Sequence, residues 1–170
     1  MDITRLIEDD HADQRRLFAL IDDIPDSEIG ALTAVWGRLS ALLDAHAEAE
    51  ERFFYPELLK IGKGAADSDS ARDETKDAIK DHNEIRDAGS AVEKCKVGTS
   101  DWRKAVAKAN KANSDHMAEE ERQGLADFRQ HANLDERQRL GIRFAEFQSN
   151  HLTGVKPVDK DPDDYIRANG

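Results

Sequence analysis

Apolar residues recur every three or four positions along most of this chain, and nowhere do they alternate as a half-buried strand would require. Pro falls outside these segments, while Ala, Leu, Glu, Arg and Lys fill them. The pattern predicts an all-α protein. A first helix is expected from Ile3 to Ile24, with Asp2 as N-cap and Pro25 just beyond its end. A second opens after PDSE with Ser27 as cap and reaches Tyr55, where Pro56 kinks or ends it. IGKGAADSDS, residues 61–70, reads as a connector, since its GKG lacks the spacing and the Ser or Thr of a phosphate-cradling loop. A third helix covers about Ala71 to Lys96, closed by Gly98, and a fourth runs from Ser100, as cap, to about His131. A shorter fifth, from Asn133 to about Asn150, carries Leu140, Phe144 and Phe147 on one face. Beyond Leu152 the chain is polar with two prolines and is expected to be extended or disordered. Four long amphipathic segments joined by short loops predict an up-down-up-down four-helix bundle, with the short fifth helix packed outside or across one end and a polar tail.

The stripes that build this bundle carry an anomaly. In the second helix Leu32, Trp36, Leu39 and Leu43 set a rhythm that continues onto His46, Glu50 and Phe53, so the sequence places an acid in the core. The first helix lines up Ile3, Ile7, His11, Phe18 and Ile21. The third lines up Thr75, Ile79, His82, Ile85 or Arg86, Gly89 and Val92, and the fourth Trp102, Val106, Ala109, Asn113, His116 and Glu120. Each long helix thus aims one histidine at the bundle axis. His11, His46, His82 and His116 follow one another at intervals of 35, 36 and 34 residues, as expected for one cross-sectional layer of an antiparallel bundle.

Desolvation limits what such a layer can be. A buried carboxylate is destabilising by several kcal/mol unless paired or coordinated, on the order given for buried ions generally. A hydrogen-bonded polar layer is one solution. Metal is the better one, because neutral imidazole nitrogen and carboxylate oxygen are both good ligands and a carboxylate can join two ions.

Composition narrows the partners. A formal net charge of -11 disfavours nucleic acid and anionic membrane. The apolar runs are too short to span a bilayer, and the single cysteine, Cys95, suits a reducing compartment. A cytoplasmic protein with a small-molecule ligand, as monomer or dimer, is the expectation.

DDHADQRRLF, HAEAEERFFYPEL, KDHNEIR and HMAEEE, in that order, resemble the hemerythrin-like HHE cation-binding domains, in particular short bacterial members of the actinobacterial type. The resemblance divides the chain into a domain over residues 1–152 and a tail over 153–170. It implies a non-haem di-iron centre, two iron ions with an oxo or hydroxo bridge, held by His11, His46, Glu50, His82, His116 and Glu120, with Glu50 and Glu120 as bridging candidates. The oxygen carriers of the family differ in two ways. They have a second histidine four residues after that of the third helix, where this chain has Arg86, and their fourth-helix acid falls five residues after its histidine, which would select Glu121. Ideal helix geometry favours Glu120 and leaves Glu119 and Glu121 facing solvent. One histidine fewer implies a more open centre and makes catalase-like removal of peroxide, within an oxidative or nitrosative stress role, the leading expectation. The alternative is a module that binds or senses oxygen, nitric oxide or iron without turnover. Arg86 is expected either to meet a bound anion or to extend to solvent, and Tyr55 to pack at the core edge unless the Pro56 kink turns it toward the metal. His131 and His151 are expected outside the layer. Trp36, Trp102, Phe18, Phe53 and Phe54 are expected to fill the core.

Overall fold

The computed structural model describes residues 1–66 and 70–170, so part of the 61–70 connector lies outside the described residues. The described residues form eight helical segments and no strand: α1 (Ile3–Asp23), α2 (Ile29–Phe53), α3 (Tyr55–Ile61), α4 (Ala71–Glu93), α5 (Ser100–Arg122), α6 (Gly124–His131), α7 (Leu134–Asn150) and α8 (Pro162–Asn169).

Local chemistry accounts for most of the boundaries. Asp2 accepts from the Thr4 amide, Ser70 from Asp73, Asn133 from Glu136 and Asp161 from Asp164, each satisfying an amide that the first helical turn leaves open. Two caps differ from expectation. Thr99 rather than Ser100 caps α5, through its hydroxyl and the Trp102 amide, and α2 starts from Glu28 with no side-chain cap. Pro56 breaks the second helix as expected, so α3 leaves at Phe54 with proline in its first turn, where a missing N–H does no harm. The fourth helix breaks too, at Gln123 (φ −105°, ψ −86°), and Gly124 begins α6.

The apolar residues sort into two cores, and their order along the chain fixes the topology. One end of the bundle is filled by Leu17, Phe18, Ile21, Leu32, Trp36, Leu39, Val92, Trp102 and Val106, with the two indoles edge to face at 6.4 Å. The other is filled by Ile3, Ile7, Phe54, Leu58, Ile79, Leu125, Phe128 and Phe144. Helix α1 runs from the second core to the first, α2 returns, α4 repeats α1 and α5 repeats α2. That alternation is the up-down-up-down bundle. Phe53 is only partly buried and meets Phe147 of α7 edge to face at 5.9 Å, while its neighbour Phe54 takes the core position.

The remaining segments close the sides and ends. Helix α7 packs on α1 and α2, with Gly141 so close to the chain start that an added Cβ would lie 2.8 Å from the Met1 carbonyl. At the opposite end Arg103 donates to the Ile21 and Ile24 carbonyls and to Asp26, which ties the last turn of α1 to α5. The segment after Leu152 departs from the sequence expectation. It is extended as far as Asp161, but then folds into α8, whose Tyr165 and Ile166 are buried against α3 and α4.

Asp127 and Glu74 fasten the exit from α3. The Asp127 carboxylate accepts from the Lys63 and Gly64 amides, and Glu74 accepts from Ala65 at 2.7 Å. Burial raises the Glu74 carboxyl to about 7, with Asp127 and Asp73 adding repulsion and the Ala65 amide opposing them. Stability from this group is therefore complete below its ordinary value near 4.5 and is lost as pH rises through about 7. Glu74→Gln is expected to raise the melting temperature at pH 8 by about 4 °C and to leave it nearly unchanged at pH 4.5, as thermal denaturation at the two pH values will show.

Candidate metal centre

Between the two apolar cores lies a polar layer to which every long helix contributes. His11, His46, Glu50, His82, His116 and Glu120 are all buried, with exposures of 0 to 5%. The pairs His46/Glu50 and His116/Glu120 are each separated by one helical turn, so both members share a face. The structure brings all six side chains together. One ligand atom from each of His11, His46, Glu50 and Glu120 falls in a group no wider than 4.8 Å, and Glu50, His82 and His116 form a second such group. Glu50 belongs to both groups and Glu120 only to the first.

The inward atoms are crowded yet unsatisfied. His46 Nε2 lies 2.9 Å from Glu50 Oε1, His82 Nε2 lies 3.3 Å from Glu50 Oε2, and His11 Nε2 lies 3.2 Å from Glu120 Oε2. Even so, Nε2 of His11 and His46, both Glu50 oxygens and Glu120 Oε2 make no hydrogen bond. His82 Nε2 and His116 Nε2 face one another at 3.1 Å, and their rings meet edge to face at 4.6 Å. Buried polar atoms are normally satisfied, so a convergent set of unpartnered nitrogen and oxygen atoms is the donor arrangement of a cation-binding cage. These residues fit a pair of cations bound by nitrogen and oxygen.

The outward atoms are organised in the opposite sense. His11 Nδ1 meets Glu121 at 2.9 Å, His46 Nδ1 meets Asp10 at 3.0 Å, His82 Nδ1 meets Glu51 at 2.8 Å, and His116 Nδ1 lies 3.6 Å from Asp81. A carboxylate thus stands behind each imidazole, within hydrogen-bond distance at His11, His46 and His82, and favours the orientation with Nδ1 outward and Nε2 inward by which metal-binding histidines are held. Charge follows the same plan. Burial alone would lower His82, but its contacts with Glu50 and Glu51 raise it to about 9, and the acids around His46 raise it well above its ordinary value. Burial would raise Glu51, and His82, Arg86 and Lys160 instead hold it at about 2. The layer is built to attract positive charge.

Three sequence expectations need revision here. Glu121 does not simply face solvent, because it accepts from both His11 and Arg15 behind the layer, while Glu120 takes the inward place. Arg86 does not extend to solvent; it is buried and donates to Glu51 at 2.8 Å. Tyr55 is fully buried, not at the core edge, and its hydroxyl donates to Glu120 Oε1. Burial, with Glu120 and Glu50 nearby, keeps that phenol protonated far into the alkaline range. Glu119 is exposed as expected. His131 and His151 lie outside the layer, each bound to the carbonyl four residues earlier.

Asp10, Glu51 and Asp81 were not singled out by sequence reasoning. The available signal was positional: Asp10 and Asp81 immediately precede layer histidines, and Glu51 follows Glu50. A small cavity of about 20 Å³, room for one water-sized molecule, reaches the layer between α4 and α5 and is lined by Tyr55, His116 and Glu120 with Glu74, Asp77 and Asp81. No helix among the described residues is long and apolar enough to cross a membrane.

Residues 2–126 match the family model of the hemerythrin HHE cation-binding domain. Comparisons with curated proteins and with solved structures gave no match.

Proposed function

Because this chain belongs to the hemerythrin HHE cation-binding domain family and has the buried His/Glu layer of a non-haem iron-binding module, we propose that the layer holds two iron ions and disposes of hydrogen peroxide. One ion would be held by His11, His46, Glu50 and Glu120, the other by Glu50, His82 and His116. The carrying observation is the set of five buried, unpartnered nitrogen and oxygen atoms that converge at mid-bundle. Bound iron would supply reversible electron transfer, by which one peroxide gives up two electrons and two protons to become oxygen and a second takes them up to become two waters.

The protein's own groups favour that substrate class. The cavity of about 20 Å³ that reaches the layer favours a very small ligand over an organic substrate. With Arg86 where the oxygen carriers of the family have a histidine, and turned onto Glu51, the second group would draw three ligands from the described residues and leave coordination positions to a small molecule. Tyr55 keeps its proton at Oη beside that side of the layer and steadies Glu120 through one oxygen, leaving Oε2 for the cation. The outer carboxylates orient the imidazoles of His11, His46 and His82, so the cage needs little rearrangement on binding.

Oxygen release from hydrogen peroxide by iron-loaded protein, compared with His46→Ala loaded in the same way, tests the reading. The parent is expected to evolve oxygen and the variant to lose at least 90% of the rate, about the lower limit expected when a ligand to a reacting centre is removed. Equal rates would remove the peroxide assignment, and iron binding without oxygen release would leave a module that binds or senses oxygen, nitric oxide or iron.

A further inference from the structure

The match to the family ends at residue 126, yet side chains beyond it reach the back of the metal layer on both sides. On one side lies Gln148 of α7. Its amide donates to Asp10 Oδ2, the same oxygen that meets His46 Nδ1. On the other side lies the extended segment leading to α8. Lys160 Nζ bonds Glu51 Oε2, while Glu51 Oε1 meets His82 Nδ1 and Arg86. Tyr165 of α8 donates its hydroxyl to the Glu51 carbonyl at 2.5 Å.

The segment is registered against the layer by more than one contact. Asn83, the residue after His82, donates to the Lys160 carbonyl at 2.7 Å and accepts from the Lys160 amide at 3.0 Å. Lys160 Nζ also bonds Glu48 at 2.9 Å. Glu51 is 3% exposed, so its second oxygen has no water to turn to and depends on Lys160 for a partner. An unpaired buried oxygen would turn the carboxylate, and the His82 ring held by its other oxygen would turn with it. Asp10 is held differently: its side chain is 19% exposed, and Gln148 donates to the same oxygen, Oδ2, that meets His46 Nδ1, so Gln148 pins the very atom that orients the His46 ring.

Building on the metal centre proposed above, we propose that residues 148–166 supply positioning residues for that centre: Lys160 and Tyr165 fix Glu51 behind His82, and Gln148 fixes Asp10 behind His46. The centre of this chain is thus completed by a segment beyond the part that matches the family, with contacts behind each of its two groups. Partners behind metal ligands typically change affinity by about 10- to 100-fold when removed. Lys160 acts one bond further out, which sets the expectation near the lower figure.

Zinc(II) is a suitable probe because it is diamagnetic and needs no oxidant. The full chain, Lys160→Met, Lys160→Arg and Gln148→Leu are titrated with zinc(II) against a chelating indicator, and the imidazole nitrogens are followed by NMR. Lys160→Met is expected to weaken one of two zinc(II) sites about tenfold and to shift the Nδ1–H signal of His82 alone, with Lys160→Arg restoring both. Gln148→Leu is expected to shift that of His46 alone. Melting of the zinc-free variants should stay within a few degrees of the parent. The inference is overturned if Lys160→Met binds both ions with the parent's affinity and His82 signal. It is equally overturned if all four imidazole signals shift together and Lys160→Arg fails to restore them, which marks a strap that only stabilises the fold. Failure of the parent itself to take up zinc(II) would instead remove the metal centre.

Discussion

Glu50→Ala is expected to lose both cations in a single step, whereas His11→Ala and His116→Ala should each retain more metal than it does. The reason is topological. Among the described residues Glu50 is the one side chain common to both groups, with Oε1 beside His46 Nε2 and Oε2 beside His82 Nε2. His11 serves only the first group and His116 only the second. The variant should still fold, because removing a fully buried carboxylate also removes its desolvation penalty, and the two apolar cores on either side are untouched. Metal analysis after dialysis, alongside circular dichroism, checks both halves. A Glu50→Ala protein that keeps as much metal as His11→Ala would contradict the shared-ligand geometry.

The second large effect concerns stability. A cage of convergent, unsatisfied atoms is a poor core without its ions, and any ligand bound only by the folded state stabilises it by mass action. A cation at about a thousand times its dissociation constant adds roughly 4 kcal/mol, and each kcal/mol moves the melting point of a chain this size by about 2–4 °C. Stripping the protein with a strong chelator should therefore lower its melting temperature by about 10 °C or more, and restoring iron should recover it. Calorimetry on the same sample before and after metal removal is the measurement. An unchanged melting temperature would mean that the layer stands as a self-sufficient hydrogen-bonded network.

Much of this was legible in the sequence because one rule, the helical period, governs both the cores and the layer. The stripes through Leu32, Trp36 and Leu39, and through Trp102, Val106 and Ala109, bury as they read, and continuing them places His46, Glu50, His116 and Glu120 inward. The period blurs where a helix bends or ends. Phe53 yields the core to Phe54 at the Pro56 break, and Ala88 is buried more deeply than Gly89. Tyr55 reaches Glu120 because the chain changes direction one residue earlier, at Phe54, which no count along an unbroken helix would reveal.

The outer carboxylates were hidden for a different reason. Asp10, Glu51, Asp81 and Glu121 lie at the edge of the inward stripe, where an acid in an acidic chain reads as a solvated face until its neighbours are known. Helix α8 did have a local signature: Asp161 followed by Pro162, Asp163 and Asp164 is a capping residue, a first-position proline and two acids in the first turn. Its polarity concealed that only Tyr165 and Ile166 need burying to dock so short a helix.

Metal content of the protein purified without chelator, determined by plasma mass spectrometry, bears most directly on the claim that cations hold this layer together. About two metal ions per chain are expected, with iron predominant. A chain that emerges from iron-replete cells with none, and takes up none when iron(II) is added, would contradict that claim.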